Sequence, residues 1–445
     1  MNRSTFPHHS VIVVGGGQAG LAMSYHLKRV GLDHVVLEKN SIAHSWKTQR
    51  WDAFCLVTPN WQCRLPGYPY QGSDPMGFML RDEVVAYIEG YARHINAPVR
   101  EGIAVTRLTR DASGCFALET SSGTMTAKQV VLAVSGYHVP NVPRVAEKLA
   151  PDIIQIHSST YRNPQQMPDG EILVVGSGQS GCQIAEDLHL GGRKVHLAVG
   201  SAPRCPRVYR GRDAVEWLDD LGQYDLPVEQ HSLKEKVRKS ANHYLTGRDG
   251  GRDIDLRRFA LEGMQLHGRV TEIAGHVITF GDDLAVNLDN ADRVYNGICG
   301  LIDDHIARNR IDAPPQQHYT PVWQPKNVET KLDLVAAGVQ SIVWTTGFRS
   351  DWSWVDLPLF DGAGYPTHTR GVTSVKGIYV LGMPWLYTWG SGRFVGVGRD
   401  AEFIVGKIET AFVPKGDVSP AQQTSLSKPR TAPSTQAGGD FHQPL

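Results

Sequence analysis

Two stretches of the sequence repeat one order of elements, 161 residues apart. Residues 11–40 read VIVVGGGQAGLAMSYHLKRVGLDHVVLEKN, and residues 171–204 read EILVVGSGQSGCQIAEDLHLGGRKVHLAVGSAPR. Each stretch has an apolar run of strand length, then Gly-x-Gly-x-x-Gly, a helical segment and a second short apolar run. This order is typical of the dinucleotide-binding βαβ unit, in which a pyrophosphate lies at a helix N-terminus. The sequence therefore predicts an α/β fold with two Rossmann-like dinucleotide-binding domains.

The three glycines of each turn have separate roles in such a unit. The first allows the tight turn, the second lets the pyrophosphate approach the backbone, and the third lets the helix pack on the strand. We therefore expect each turn to contact a cofactor. The candidate residues are Gly15, Gly17, Gln18, Ala19 and Gly20 in the first turn, and Gly176, Ser177, Gly178, Gln179, Ser180 and Gly181 in the second.

The two units end in different charges, and this difference predicts different ligands. Glu38, followed by Lys39, closes the first unit 18 residues after its last glycine, where an acid accepts hydrogen bonds from an unphosphorylated ribose, as in FAD or NAD. The alternative for Glu38 is a solvated charge at a strand end. In the second unit, residues 198–201 carry no acid, and Arg204 and Arg207 follow them. Because a carboxylate would repel a 2′-phosphate and guanidinium groups would bind it, this unit is predicted to take NADPH, with surface loop arginines as the alternative.

The composition is that of an ordinary globular chain. Of 445 residues, 41% are hydrophobic and 20% are charged, and 45 Lys and Arg balance 45 Asp and Glu. Without an excess of basic charge, nucleic acid is not an expected partner. No apolar run approaches the length of about 18 residues that suggests a membrane span, and the N-terminal segment has no signal-peptide pattern. We expect a cytoplasmic protein that acts on small molecules and does not attach to membranes.

Six cysteines are scattered along the chain, namely Cys55, Cys63, Cys115, Cys182, Cys205 and Cys299. They form no Cys-x-x-Cys pair and have no zinc-binding spacing, so neither a metal site nor structural disulfides are expected. This pattern also weighs against a disulfide reductase, because such an enzyme needs a reactive cysteine pair close in sequence beside its flavin.

Four further segments carry recognisable motifs. They are Ile42-Ala43-His44-Ser45-Trp46, Leu65-Pro66-Gly67-Tyr68-Pro69, VVLAVSGYHVPNVP at 130–143 and IVWTTGFRSD at 342–351. The first is similar to a segment that runs under the flavin ring in class B flavin monooxygenases, the second to their L-P-x-x-P, and the last two to their ATG hinges. The chain resembles this family over about residues 10–411. It resembles in particular bacterial relatives of the plant YUCCA-type enzymes, and most closely bacterial oxidoreductases associated with nitrilase-containing gene clusters.

The resemblance implies cofactor contacts beyond the two turns. It places Trp46 under the flavin and Val105 against the adenine. It also places Ser135 and Gly136 at the first hinge, and Gly382, within GIYVLGMPW, near the isoalloxazine.

The family's identifying motif, F-x-G-x-x-x-H-x-x-x-[FY], is present only at its end. His157 and Tyr161 match, whereas Pro151 and Ile153 stand where the motif has Phe and Gly. The resemblance gives His157 a linker role at the start of an inserted domain. The altered start of the motif favours a second possibility, a nucleotide-binding flavoprotein that serves as a partner without turnover.

The resemblance also divides the chain into domains. The FAD-binding domain is expected at 1–160 and 336–411, interrupted by an NADPH-binding domain at 161–335. The latter includes a variable excursion at about 209–262, whose GRDGGRD run is interpreted as a ligand-facing loop or a solvated helical excursion. Residues 412–445 are rich in Pro, Ser, Thr and Gln, and are predicted to form a disordered tail.

These features together predict an FAD- and NADPH-dependent monooxygenase. The resemblance implies insertion of one oxygen atom from O₂ into a small organic substrate through a C4a-(hydro)peroxyflavin. Because the cofactors carry this chemistry, no side-chain triad is required and no catalytic residue is assigned. An NADPH oxidase or flavin reductase without oxygen transfer is the enzymatic alternative. Neither the substrate nor the oligomeric state follows from the sequence.

Overall fold

The computed structural model describes residues 8–326 and 328–412, which form eight α-helices and 23 strands. The helices are α1 (Gln18–Arg29), α2 (His44–Thr48), α3 (Arg81–His94), α4 (Gln179–Leu190), α5 (Ala214–Asp220), α6 (Leu256–Leu261), α7 (Leu284–Asn309) and α8 (Val397–Phe412). Short 3₁₀ helices lie at Asn60–Gln62, Arg144–Lys148, Pro164–Gln166, Lys234–Lys239, Arg248–Gly250 and Trp389–Gly392. None of these described helices is long and apolar enough to cross a membrane. The predicted tail at 412–445 lies, apart from its first residue, outside the described residues.

The strands are named in chain order. They are β1 (His8–Val14), β2 (His34–Leu37), β3 (Arg64–Leu65), β4 (Tyr68–Pro69), β5 (Val99–Arg100), β6 (Val105–Arg110), β7 (Phe116–Thr120), β8 (Gly123–Leu132), β9 (Val139–Pro140), β10 (Ile154–His157), β11 (Glu171–Val175), β12 (Val195–Ala198), β13 (Val208–Tyr209), β14 (Arg212–Asp213), β15 (Gln265–His267), β16 (Val270–Ala274), β17 (Val277–Phe280), β18 (Lys331–Asp333), β19 (Val339–Trp344), β20 (Phe348–Arg349), β21 (His368–Thr369), β22 (Val372–Thr373) and β23 (Ile378–Val380).

The larger sheet is built around β1. Its main strands lie in the order β21-β22-β23-β8-β1-β2-β5. Strand β7 also pairs with β8, and β6 pairs with β7. β1 pairs in parallel with β2 and β8, so that Val14 lies opposite both Leu37 and Leu132. The loops that follow these three strands therefore meet at one edge of the sheet, where ligands bind in open α/β sheets. The apolar runs of β1 and β2 are buried, as expected for parallel strands covered on both faces.

The second sheet has five parallel strands in the order β10-β19-β11-β12-β15. Val175 at the end of β11 lies opposite Ala198 and Trp344, so the second glycine-rich turn also opens at the carboxyl edge of a parallel sheet. The predicted α/β fold with parallel sheets is confirmed.

Two chain segments cross between the sheets and pair with each other. β9, in the first hinge motif, is antiparallel to β20, in the second. The Asn141 N–H donates to the Gly347 carbonyl over 2.9 Å, and His157 Nε2 lies 2.9 Å from the same oxygen. His157 is buried, and its Nδ1 lies 3.0 Å from the Ser159 hydroxyl. The imidazole thus ties the start of the second sheet to the crossing segment, as a linker residue would.

The GRDGGRD run of the excursion packs onto helix α4. Arg248 Nη1 lies 2.8 Å from Asp187 Oδ1, and Arg252 Nη2 lies 2.9 Å from the buried Glu186 carboxylate. On its other side, a Cβ at Gly251 would lie 2.8 Å from the Phe78 ring. Neither sequence interpretation anticipated this arrangement, because the charges bind α4 instead of solvent or a ligand. The excursion therefore lies between helix α4 and the segment that carries Phe78.

Candidate functional site

The first glycine-rich turn joins β1 to the N-terminus of α1. Gly15 has φ +107°, and a Cβ there would lie 2.5 Å from the Ala133 carbonyl oxygen. A Cβ at Gly20 would lie 1.8 Å from the Gly15 carbonyl oxygen, so only glycine lets the helix pack on the turn. At Gly17, by contrast, a Cβ would meet nothing within 4 Å. There is thus open space at Gly17, beside the first N–H groups of α1, which lack intrahelical partners and are the kind of groups that bind a pyrophosphate.

The second turn repeats this geometry between β11 and α4. Gly176 has φ +106°, and a Cβ at Gly181 would lie 2.0 Å from the Gly176 carbonyl oxygen. Around Gly178 a Cβ would again meet nothing within 4 Å. Thr345, at the end of β19, supports the turn because its hydroxyl lies 2.8 Å from the Gly176 carbonyl. The second turn can therefore receive a pyrophosphate in the same way as the first.

Glu38 lies at the end of β2, beside the first turn. Its carboxylate accepts hydrogen bonds from the N–H groups of Gly16 at 2.8 Å and Asn40 at 2.9 Å. These bonds hold the half-buried acid next to the pyrophosphate position instead of in solvent, which fits a ribose contact. The neighbouring Lys39 is exposed, and Val105 opens β6 with a half-buried side chain.

Gly382 and the segment before α8 lie at the same edge of the larger sheet as the first turn. Gly382 has φ +78°, and a Cβ there would lie 2.6 Å from the Ala19 Cβ, so the loop after β23 lies directly against the start of α1. Gln18 Nε2 donates to the Gly392 carbonyl over 3.4 Å. The structure thus brings together the predicted residues of the first turn and Gly382, although they lie more than 360 positions apart in the sequence.

The first hinge contributes Ser135 and Gly136, in the loop that follows β8. Ser135 has φ +64°, an unusual conformation for a residue other than glycine. Its carbonyl lies 2.9 Å from His138 Nε2, and the Gly136 carbonyl accepts a hydrogen bond from the Ser350 hydroxyl at 3.0 Å. The two predicted residues therefore lie where the hinges meet, at the same sheet edge as the first turn.

The side chains of the second turn are held by protein contacts. The buried Ser177 hydroxyl accepts a hydrogen bond from the Gly200 N–H at 2.9 Å, which positions the loop after β12. Gln179 Nε2 donates to the Leu245 carbonyl over 2.6 Å, and Ser180 is exposed. The excursion thus reaches the N-terminus of α4 as well as its acidic side.

The structure does not fit the role predicted for Arg204. Its side chain is 3% exposed, and its Nη1 lies 2.9 Å from Asp292 Oδ1. The guanidinium also lies 4.3 Å and 4.1 Å from the ring centroids of Tyr295 and Tyr319. A 2′-phosphate cannot reach a cation that is already closed off from solvent and neutralised by a carboxylate.

Arg207 likewise departs from its predicted role. It is 1% exposed, and its Nη2 lies 2.6 Å from Asp213 Oδ1, while its Nη1 donates to the Val57 carbonyl. Both arginines follow the second unit in sequence, but each is paired with a carboxylate inside the protein, Arg204 with Asp292 and Arg207 with Asp213. Neither the phosphate contact nor the alternative of surface loop arginines describes them.

Replacing Arg204 with methionine is expected to destabilise the fold by about 3 kcal/mol, because one partner of a buried ion pair is lost. Thermal unfolding should show a lower Tm, while the ratio of kcat/KM for NADPH to that for NADH stays unchanged. The matched control is Arg269→Met, since Arg269 is 62% exposed and pairs with Asp283 at the surface. A selective loss of NADPH over NADH in the Arg204 variant would restore the phosphate role.

An aromatic cluster includes Phe394, two residues after Gly392, whose carbonyl is bonded to Gln18 of the first turn. Trp46, in α2, stacks on Phe394 with ring centroids 6.0 Å apart and contacts Phe54 edge-on at 5.8 Å. Arg50 lies over the Trp46 ring at 5.0 Å. Sequence reasoning identified Trp46 but missed Arg50. No local motif marks Arg50, because its contact with the Trp46 ring depends on how the chain folds.

Comparison with known proteins agrees with this geometry. The family model for pyridine nucleotide-disulphide oxidoreductases matches residues 12–219. A CzcO-like oxidoreductase of Geobacillus kaustophilus is 33% identical over 402 residues, which cover 89% of this chain and 97% of that protein. The indole-3-pyruvate monooxygenase YUCCA1 of Oryza sativa is 30% identical over 251 residues, covering 56% of this chain and 60% of that protein.

Among solved structures, a flavin-containing monooxygenase from Stenotrophomonas maltophilia shares the fold. Its TM-score is 0.58 at 20% identity, and the match covers 91% of this chain and 99% of that one. Fold, turns and relatives together define a flavin-dependent oxidoreductase. The chain belongs to the class B flavin monooxygenases, a family of FAD- and NADPH-dependent enzymes, and the resemblance seen in the sequence is confirmed.

Proposed function

We propose that this chain is a monooxygenase that binds FAD at the first turn and NADPH at the second, and transfers one oxygen atom from O₂ to a small organic substrate. The observation that carries the proposal is the pair of equivalent turns, each with open space over its second glycine, Gly17 and Gly178. Two pyrophosphate positions in one chain suit an enzyme that passes hydride from a nicotinamide to a flavin. The near full-length relationship to oxidoreductases supports the same conclusion.

In this proposal the second sheet is an NADPH-binding domain inserted into an FAD-binding domain. The larger sheet takes its strands from residues 8–132 and 368–380, and the second sheet from 154–344, which is the order that an insertion requires. The paired crossing strands β9 and β20 are the two connections. Because β10 (Ile154–His157) and β19 (Val339–Trp344) belong to the second sheet, the proposed inserted domain extends beyond the predicted limits of 161–335 at both ends, and the predicted limits of 1–160 and 336–411 for the FAD-binding domain shorten accordingly.

The chain's own residues would hold and shield the cofactors. Glu38 accepts hydrogen bonds at the position of an adenosine ribose, and the N–H groups after Gly17 face the pyrophosphate. Trp46 and Phe394 form an apolar wall beside the same edge, which limits access of water to the reacting centre. Bound FAD would supply hydride acceptance and the activation of oxygen.

The preference for NADPH over NADH rests on the missing acid after β12. Residues 198–201 carry no carboxylate, and Ser177 holds Gly200 there through a hydrogen bond. A 2′-phosphate therefore meets no acid of this segment that would repel it. Because Arg204 and Arg207 are paired with buried carboxylates, we assign no arginine to the 2′-phosphate.

Oxygen is favoured over a disulfide as the electron acceptor. Cys55 and Cys63 are both buried and unpaired. Burial raises the pKa of Cys55 to about 11 and that of Cys63 to about 12, so neither forms the thiolate that disulfide exchange needs at neutral pH. This environment distinguishes the chain from a disulfide reductase built on the same two nucleotide sites.

Stopped-flow absorbance tests the proposed reaction. When NADPH-reduced protein is mixed with O₂, we expect a transient species that absorbs at shorter wavelength than oxidised flavin and decays faster once a substrate is present. Direct return to oxidised flavin with stoichiometric H₂O₂, under every amine, thioether, ketone and organic acid tried, would instead show an NADPH oxidase. No reduction by NADPH would favour a partner protein without turnover.

A further inference from the structure

The two cofactor turns carry equivalent glutamines that bind carbonyl groups of other chain segments. Gln18 is the first residue of α1, and Gln179 is the first residue of α4. Gln179 Nε2 donates a hydrogen bond to the Leu245 carbonyl over 2.6 Å, and Leu245 belongs to the excursion. Gln18 Nε2 donates to the Gly392 carbonyl over 3.4 Å. Each turn is therefore attached, at the same position, to a segment that comes from elsewhere in the chain.

One hydrogen bond joins these two attached segments. Arg393, the residue after Gly392, donates from Nη2 to Asn242 Oδ1 over 2.9 Å. Asn242 lies three residues before Leu245. A continuous path of contacts thus runs from the first turn through the segment before α8 and residues 242–245 to the second turn. Because three residues of chain span at most about 11 Å, the part of this path that the excursion supplies is short.

Both ends of the path are held by further contacts. A Cβ at Gly392 would lie 3.2 Å from the Gly382 carbonyl oxygen, and a Cβ at Gly382 would lie 2.6 Å from the Ala19 Cβ in the first turn. At the other end, the buried Tyr244 donates from its backbone N–H to the Pro203 carbonyl, in the loop after β12, over 2.9 Å. The path therefore begins and ends on closely packed backbone.

The rest of the excursion has separate attachments to the segment after β23. The Val228 N–H donates to the Tyr387 carbonyl over 2.7 Å, and Arg238 Nε donates to the Trp385 carbonyl over 3.1 Å. These bonds do not involve Asn242, which is itself exposed. A change of the Asn242 side chain is therefore expected to release the path between the turns while the excursion stays folded.

We propose that residues 242–245 form a positioning bridge, which sets the distance between the two cofactor turns and thereby aligns the nicotinamide with the flavin. This inference deepens the proposed function and rests on it. In the aligned step the nicotinamide loses a hydride and is oxidised, and the flavin accepts the hydride and is reduced. Asn242 and Gln179 are positioning residues of this bridge, since they hold the segment from its two ends.

The geometry of hydride transfer is the reason why such a bridge matters. The reacting atoms must lie about 3–3.5 Å apart, and a misplacement of about 1 Å lowers a rate by about 100-fold. Each pyrophosphate contact fixes a cofactor at its own turn only. The separation of the turns then decides whether the two rings meet.

Anaerobic stopped-flow reduction of the FAD-loaded protein by NADPH tests the bridge. In Asn242→Leu, which offers no acceptor to Arg393, the limiting rate of flavin reduction should fall at least about 10-fold. The Kd for NADPH, obtained from the concentration dependence of that rate, should change by less than about 3-fold, because the second turn is intact. Asn242→Asp keeps an acceptor oxygen and should stay within about 3-fold of the wild-type rate.

Asn290→Leu is the matched control. Asn290 Oδ1 accepts a hydrogen bond from Arg293 Nη1 over 2.6 Å within α7, so this variant loses the same kind of contact away from the bridge. It should be reduced by NADPH at the wild-type rate. The FAD content, the Tm and the rate of reduction by dithionite show whether each variant is folded and retains its flavin.

A double variant, Asn242→Leu with Gln179→Leu, distinguishes a bridge from two independent effects. Because both hydrogen bonds hold one segment, loss of either releases it, and the double variant should be no slower than the slower single variant. Independent contributions would instead multiply the two losses of rate.

Three results would overturn the inference. They are a wild-type limiting rate in Asn242→Leu, a loss in that variant confined to the Kd for NADPH, and multiplied losses in the double variant. Each of them leaves the proposed function standing. Absence of NADPH reduction in the wild type would overturn the proposed function together with the bridge.

Discussion

Replacing Gly17 with valine is expected to give a folded protein that is purified without its yellow flavin. Because a Cβ at this position meets nothing within 4 Å, the fold itself tolerates the side chain. The isopropyl group would instead occupy the space through which a pyrophosphate approaches the N–H groups of α1. FAD affinity should fall at least about 100-fold, equivalent to about 3 kcal/mol, measured as flavin absorbance per protein and by titration with added FAD.

Two further glycines provide the controls for this variant. Gly297 lies on the exposed side of α7 with open space around it, so Gly297→Val makes the same chemical change without affecting FAD. Gly20→Val should fail to fold, because its Cβ would lie 1.8 Å from the Gly15 carbonyl oxygen. A yellow Gly17→Val protein with wild-type FAD content would refute the first turn as the flavin site.

Replacing Gly178 with valine is expected to separate the two nucleotide sites. The variant should retain FAD, because the change lies at the second turn, where a Cβ again meets nothing within 4 Å. NADPH should reduce this flavin at least about 100-fold less efficiently at low coenzyme concentration, by the same loss of pyrophosphate contacts. Anaerobic reduction is followed at the flavin absorbance, and dithionite should still reduce the variant as fast as the wild type.

The expectations for the two variants are reciprocal, so each serves as a control for the other. Loss of FAD in the Gly178 variant, or normal NADPH reduction in it, would contradict the assignment of NADPH to the second turn. Equal loss of both cofactors in both variants would show that the substitutions act through the fold and not through separate sites.

The sequence by itself determined the two turns and their surroundings. The requirement for glycine at Gly20 and Gly181 is local, because a Cβ at each would meet the carbonyl oxygen of the glycine five residues earlier, Gly15 or Gly176. The apolar runs of β1 and β11 are also local patterns, and they become buried parallel strands as predicted. Family motifs added Gly382, which the fold brings against Ala19 of the first turn, and Trp46, which stacks on Phe394.

Only the tertiary structure decided how the charges are used. Arg204 finds its partner Asp292 88 residues later, and packing of α7 brings the two together. Trp46 and Phe394 lie 348 positions apart and stack only because α2 and the segment before α8 meet. The physical reason is that glycine conformations depend on neighbouring backbone atoms, whereas the role of a charge depends on which opposite charge packing brings within a few ångströms.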